Sequence, residues 1–253
     1  MPDHAMKGVI LAAGIASRLH PHTLTRPKCL LPIGGGTLLG RTLDNLEAAG
    51  VRDIVIVSGY LEDQIRRYVG ECFSHLRVTF VTNEVYASTN NIYSLWLARE
   101  EVVRDGMVLL DGDILFDHHI LTALMESGHP DVLAVKSGSL LGDEEMKVET
   151  DASGRIVTLS KRIPASRAIG ESIGIEVFSP AVLPGLFEMI ERKVIGEAAV
   201  HVYYEDAFQD WIDRGGTLHA VDIGDRLAIE IDTIDDFRTA ERDVLPLLPP
   251  LRT

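Results

Sequence analysis

Two rhythms of apolar and polar positions divide this 253-residue chain. In the first half, strand-length apolar runs alternate with stretches of helical spacing. Val9-Ile10-Leu11-Ala12-Ala13 reads as a buried first strand that breaks at Gly14 into a loop of small residues. Over residues 37–50, Leu38, Leu39, Leu43 and Leu46 fall near helical spacing and Gly50 supplies a stop. Residues 53–58 (DIVIVS) form a second buried run, 61–69 a helix and 77–81 a strand. A helix over 91–103 starts behind the polar Ser88-Thr89-Asn90, and strands follow at 107–110 and 131–135. Such alternation requires right-handed crossovers, so the pattern predicts an α/β fold: a Rossmann-like, mainly parallel sheet flanked by helices.

After about residue 140 the rhythm changes. Runs at 146–150 and 155–159 flank the turn Asp151-Ala152-Ser153-Gly154, which predicts a hairpin and hence a small antiparallel part. A strand at 172–178, helices at 180–192 and 205–214, strands at 218–221 and 227–231, and a helix from Thr233 complete the pattern. No internal repeat or low-complexity linker interrupts it, so we read 1–253 as one domain.

The formal net charge of −14 argues against nucleic acid or an anionic membrane as a partner. An acidic protein that handles phosphates must concentrate its cations, and the loop after the first strand does so with Arg18, Arg26 and Lys28. Small residues there let backbone N–H groups approach a polyphosphate. The start MPDHAMK has no apolar leader and no run reaches membrane-span length. Two cysteines, Cys29 and Cys72, are too few for a disulfide framework, so the expected location is cytoplasmic. Cys29 adjoins Lys28 but has no paired base in view, and reads as a packed thiol.

Residues 11–18 (LAAGIASR), Pro21-His22-Thr23 and Pro27-Lys28-Cys29-Leu30-Leu31-Pro32 resemble the signature of nucleotidyltransferases that build NDP-sugars and CDP-alcohols. That signature runs L-A-A-G-x-x-x-R-hydrophobic, then P-x-T, then P-K-x-L-x-P. Ala16 stands where the sugar enzymes often have glycine. The resemblance implies that Leu11, Ala12, Ala13, Gly14 and Ser17 contact the nucleotide, with Arg18 and Lys28 catalytic. It also implies a nucleotide-binding half over about 1–140, an acceptor-binding half over about 141–232, and a C-terminal helix and tail over 233–253. The segment 83–95 (NEVYASTNNIYSL) resembles the N-x-x-Y-x-x-x-N-N-x-Y-S-L of phosphocholine cytidylyltransferases and their relatives for phosphonates such as 2-aminoethylphosphonate. Asn83, Ser88, Asn90 and Asn91 are then expected at the pyrimidine or ribose, because an amide offers a donor and an acceptor together. The same residues read equally as a cap for the following helix.

Ligands of open α/β sheets bind beyond the carboxyl ends of the strands. Asp113 (LLDGD) and Asp232 (EIDT) follow such ends and match the family's positions for Mg²⁺ on the nucleotide phosphates. Without the resemblance they read as turn residues or caps. Asp111 on the nucleotide side and Glu230 lie two residues away and read as supporting groups. Lys161 is placed by the resemblance at the acceptor's phosphate. At the acceptor's other end, Tyr204, Glu205 and Asp206, with Glu145, stand where phosphocholine enzymes carry Y-W-D and an aromatic. Glu205 in place of tryptophan suits a primary ammonium better than choline.

The implied reaction joins CMP from CTP to a small phosphorylated or phosphonylated acceptor and releases pyrophosphate. Sugar-phosphate or inositol-phosphate transfer from CTP, UTP or dTTP, and a silent nucleotide-binding module, remain alternatives. Residues 35–42 (GGTLLGRT) approach a P-loop pattern but have Arg41 in place of its lysine. His20, His22, His118 and His119 lack a supporting ligand frame. The apolar tail Leu245-Pro246-Leu247-Leu248 offers a surface for a second copy, and hence a homodimer.

Overall fold

The computed structural model describes residues 6–138 and 141–248. β1 (Met6–Ala12) leads through two short turns, Ser17–Leu19 and Lys28–Leu30, into the two-residue strands β2 (Pro32–Ile33) and β3 (Gly36–Thr37). Gly34 and Gly35 close that hairpin with positive φ, and Thr37 caps α1 (Leu38–Ala48) by accepting from Gly40 N–H at 3.0 Å. The P-loop look-alike is therefore a hairpin and a helix cap. Then come β4 (Asp53–Ser58), α2 (Glu62–Cys72), β5 (Arg77–Thr82), α3 (Asn91–Leu97), α4 (Arg99–Val102) and β6 (Gly106–Asp111). The remaining elements are β7 (Ile114–Phe116), α5 (His119–Met125), β8 (Val132–Lys136), β9 (Lys147–Thr150), β10 (Ile156–Ser160), β11 (Gly170–Phe178), α6 (Leu183–Glu191), α7 (Glu205–Asp213), β12 (His219–Asp222), β13 (Ala228–Glu230) and α8 (Ile234–Thr239).

The main sheet runs β10-β9-β11-β6-β1-β4-β5, with β8 on the other edge of β11 and β12 beside β8. Strands β6, β1, β4 and β5 are parallel, in register at Ile10↔Ile56 and Ile10↔Leu110. β11 is antiparallel to β6, β8 and β9, and β9–β10 is the expected hairpin. Alternation along β1 decides the layers. Val9 and Leu11 face a core shared with α3, α6 and α7, whereas Ile10 faces one shared with α1, α2 and α5. Both faces are covered, which is why the parallel strands are continuous apolar runs. Each fully buried Leu or Ile contributes about 1.5–3 kcal/mol.

Three elements differ from the sequence pattern. The single helix expected over 91–103 tightens at Ala98, whose N–H is shared between the Ser94 and Leu95 carbonyls, and continues as α4. The apolar run 227–231 does not join the main sheet: β13 pairs antiparallel with β7, a strand too short to read from periodicity. This small sheet delivers Asp113 and Asp232 to the same place. Of the tail, Leu245–Leu247 forms a turn, with Leu247 exposed and Leu248 buried; residues 249–253 lie outside the described residues. No helix among the described residues is long and apolar enough to cross a membrane.

Candidate active site

Beyond the carboxyl ends of β1 and β6 opens a cleft of about 780 Å³. Leu11, Ala12, Ala13 and Gly14 line it. The turn after β6 is packed directly on this loop. A Cβ at Gly112 would sit 2.5 Å from the Leu11 carbonyl oxygen and 3.2 Å from Ala12 Cα, so the LLDGD turn requires glycine there. Ala16 holds a left-handed conformation (φ 54, ψ 52), which explains why glycine serves at this position elsewhere. Its carbonyl is held by Thr23 Oγ1 at 2.9 Å and by Leu19 N–H at 3.0 Å.

Lys28 starts a single turn just after the extended Pro27, and that turn aims its side chain into the cleft. Its Nζ lies 2.7 Å from Asp113 Oδ2 and 2.7 Å from Asp232 Oδ1. Arg18 pairs with the other oxygen of Asp232. Burial works against the Lys28 charge, but Asp113 and Asp232 outweigh it and hold its pKa above the ordinary lysine value. Burial likewise opposes ionised Asp232, and Lys28 with Arg18 pull it below the usual carboxylate range. Glu230 joins this group and is pushed up to about 8 by burial, then by Asp113 and Asp232. Ligand oxygens of Asp113, Glu230 and Asp232 lie within 4.8 Å of one another, and Asp113 Oδ1 is buried without a hydrogen-bond partner. Three converging carboxylates with an orphaned oxygen fit a hard divalent cation. Cys29, 2 % exposed, is pushed up to about 12 by burial and stays a packed thiol.

The remaining expected residues divide. Asn90, Asn91, Asp111, Glu145, Lys161 and Glu205 line the cleft. Ser17, Ser88 and Arg26 are exposed outside it, Ser88 spending its hydroxyl on the Val85 carbonyl. Asn83 reaches the cleft but is 1 % exposed, its amide donating to Thr89 and Ser94 and accepting from Val85 N–H. It shapes the loop and has no free amide to read a base.

Tyr204 is a correction. It is fully buried against Phe208, and its hydroxyl sits 3.1 Å from Asp111 Oδ2 and 3.4 Å from Glu176 Oε1. The exposed aromatic in the cleft is its neighbour Tyr203. Asp206 is a second correction. One position after Glu205 on α7, it turns about 100° away, toward Lys193 and Asp210, and does not line the cleft. Glu176 was missed, although a carboxylate inside the apolar run IGIEVF was the available signal. Burial and Glu205 raise its pKa well above the carboxylate range.

Asn90 and Asn91 spend much of their amides on the protein. Asn90 donates Nδ2–H to the His201 carbonyl and its backbone N–H to Val200. Asn90 Oδ1 caps α3 at Asn91 N–H, and Asn91 Oδ1 accepts from Tyr204 N–H at 3.0 Å. The start of α3 therefore pins the segment that presents Tyr203 and Glu205. Asn91→Ala is expected to speed amide hydrogen exchange of Tyr204 about fivefold, for loss of one hydrogen bond worth about 1 kcal/mol. Asn91→Asp, which keeps the accepting oxygen, is expected to restore protection. Equal exchange in all three proteins, read by mass spectrometry, would remove this tether.

Three comparisons place the chain. A 31 % identical relative, the CMP-5'-(3-aminopropyl)phosphonate synthase of Streptomyces rubellomurinus, aligns over 255 residues, covering 93 % of this chain and 38 % of that protein. The chain thus spans well under half of that relative's length. The choline-phosphate cytidylyltransferase of Streptococcus pneumoniae is 27 % identical over 239 residues, covering 93 % of this chain and 97 % of that one. The solved structure of CTP:phosphocholine cytidylyltransferase from the same species matches with a TM-score of 0.77 at 23 % identity, over 94 % and 98 % of the two chains, and shows the shared fold. The model of the MobA-like NTP transferase domain matches residues 8–167, a span that holds the small-residue loop after β1, Lys28, Asn90, Asn91 and Asp113. The chain therefore belongs to the MobA-like NTP transferase domain family and is a nucleotidyltransferase.

Proposed function

We propose that the chain is a CTP-dependent cytidylyltransferase that joins CMP to a small phosphorylated or phosphonylated alcohol or amine. The observation that carries this reading is Lys28, held charged between Asp113 and Asp232 at the mouth of a small-residue phosphate loop. The activities named for the two relatives, on phosphocholine and on an aminoalkylphosphonate, point to the nucleotide and the acceptor class.

The acceptor is already an anion, so an acceptor oxygen can attack the α-phosphorus in line without a general base. A new P–O bond forms as the bond to pyrophosphate breaks. The task left to the protein is to align two mutually repelling anions and to neutralise their charge. Arg18 would hold the β- and γ-phosphates, and Lys28 the α-phosphate and incoming oxygen. Asp113, Asp232 and Glu230 would hold Mg²⁺, which when bound supplies positive charge to the phosphates. Residues of the first half then serve the nucleotide, and those from 141 onward serve the acceptor.

The test is pyrophosphate release, crossing CTP, UTP, dTTP and ATP with phosphocholine, 2-aminoethylphosphonate, inositol phosphate and glucose-1-phosphate. Turnover is expected with CTP and an amino-alcohol phosphate or phosphonate. Turnover confined to a sugar phosphate with UTP or dTTP would replace this reading with the sugar-nucleotide one.

A further inference from the structure

Part of the cleft wall carries carboxylate oxygens that lack partners. Glu205 is only 6 % exposed, lines the cleft, and its Oε2 makes no hydrogen bond. The wall before β9 brings Glu144 and Glu145, and Glu145 Oε2 is likewise buried without a partner. Behind Glu205, the fully buried Glu176 leaves its own Oε2 unsatisfied. Leaving such groups unmatched costs about 1–3 kcal/mol each, so they call for a donor that the protein does not supply.

One cation stands near them. Lys161 Nζ lies 3.7 Å from Glu144 Oε2 and 4.5 Å from the centre of the Tyr203 ring. It is also close enough to Glu205 and to Glu230 to favour the ionised form of both. Lys161 therefore lines the same cleft within electrostatic reach of both Glu230 and Glu205. Even with it there, burial keeps Glu205 near 7, the behaviour of a carboxylate still short of positive charge. From Lys28 through Lys161 to Glu205, the cleft suits a short zwitterion with its anion at the lysines and its cation at the glutamates.

We propose that Glu205, with Glu145, forms a subsite for an acceptor amine that carries N–H hydrogens, and that this subsite selects against a quaternary ammonium. The proposal rests on the reading of the acceptor as a small phosphate or phosphonate. A trimethylammonium group has no hydrogen to give to Glu205 Oε2, and its recognition relies on open aromatic faces. Among the described residues of the cleft one aromatic, Tyr203, is exposed, and Lys161 already occupies a face of its ring. Tyr86 packs against Gly59 and lies beside Tyr60, and Tyr204 is buried on Asp111 and Glu176.

The experiment measures 2-aminoethylphosphonate, its N-methyl, N,N-dimethyl and N,N,N-trimethyl analogues, and ethylphosphonate as the amine-free control. Each is assayed for pyrophosphate release with CTP and Mg²⁺, and titrated calorimetrically into the protein with and without CTP. kcat/KM is expected to fall about 10- to 100-fold from the primary amine to the trimethyl compound, the step growing as the last N–H is lost. Glu205→Gln is expected to narrow that ratio. Equal use of the trimethyl compound, or ethylphosphonate bound as tightly as the amine, would overturn the subsite and leave the cytidylyltransferase reading standing. Selective binding of the amine with no pyrophosphate release would support the subsite and overturn that reading. Neither binding nor turnover with any compound would overturn both.

Discussion

Lys28→Ala is expected to lower kcat by about 10²–10⁴-fold while the protein remains folded. On the proposed mechanism the ammonium follows charge from the α-phosphate to the incoming oxygen, and without ligand Asp113 and Asp232 hold it from two sides at 2.7 Å. A cation already in the cleft costs little reorganisation as charge moves, which is why its loss is expected to fall on kcat more than on KM. The fold pays less. Removing the cation leaves Asp113, Glu230 and Asp232 facing one another, but Arg18 still pairs with Asp232 and the two aspartates are partly solvated. We expect about 2 kcal/mol of lost stability, below the roughly 3–5 kcal/mol of a fully buried pair broken on one side. Lys28→Arg keeps the charge but brings a planar fork too wide for a gap shaped for one ammonium, and is expected to recover little rate. Steady-state kinetics beside thermal unfolding separates these effects. Unchanged turnover in a folded Lys28→Ala protein would end the assignment.

Much of this centre was legible in the residues. LAAGIASR and PKCLLP pointed to the loop and its cations through their resemblance to the nucleotidyltransferase signature. The two aspartates were legible because each follows an apolar run. Glu230, which reads as a supporting group, joins them through β13 and β7, whose pairing is non-local and leaves no periodic trace. Tyr203 and Tyr204 show the other kind of limit. Both are aromatic and adjacent, and which one enters the core depends on the entry angle of α7 and the packing of Phe208. Asn90 and Asn91 show a third. Their motif was visible, but their partners, the Val200 and His201 carbonyls and the Tyr204 N–H, arrive from more than a hundred residues away. A motif says which groups are present and leaves open whom they bond.

The carboxylates admit two roles with opposite signatures, and Asp232→Asn beside Lys28→Ala tells them apart. If Asp113, Glu230 and Asp232 serve a divalent cation, Lys28 competes for the same oxygens while no nucleotide is bound, since its Nζ touches Asp113 Oδ2 and Asp232 Oδ1. Lys28→Ala is then expected to tighten Mn²⁺ binding about tenfold and Asp232→Asn to weaken it by a similar factor, both measured by electron paramagnetic resonance. Asp232→Asn keeps the shape of the side chain, and its backbone N–H still donates to Asp236 at 3.1 Å, so α8 keeps its cap. Activity of this variant is expected to fall about 10²–10³-fold, partly recoverable at high Mg²⁺ because the two remaining carboxylates still converge. If the carboxylates serve only to orient Lys28 and Arg18, Mn²⁺ affinity is the same in both variants and added Mg²⁺ restores nothing. The opposite signs matter because a folding defect would weaken Mn²⁺ binding in both proteins and tighten it in neither.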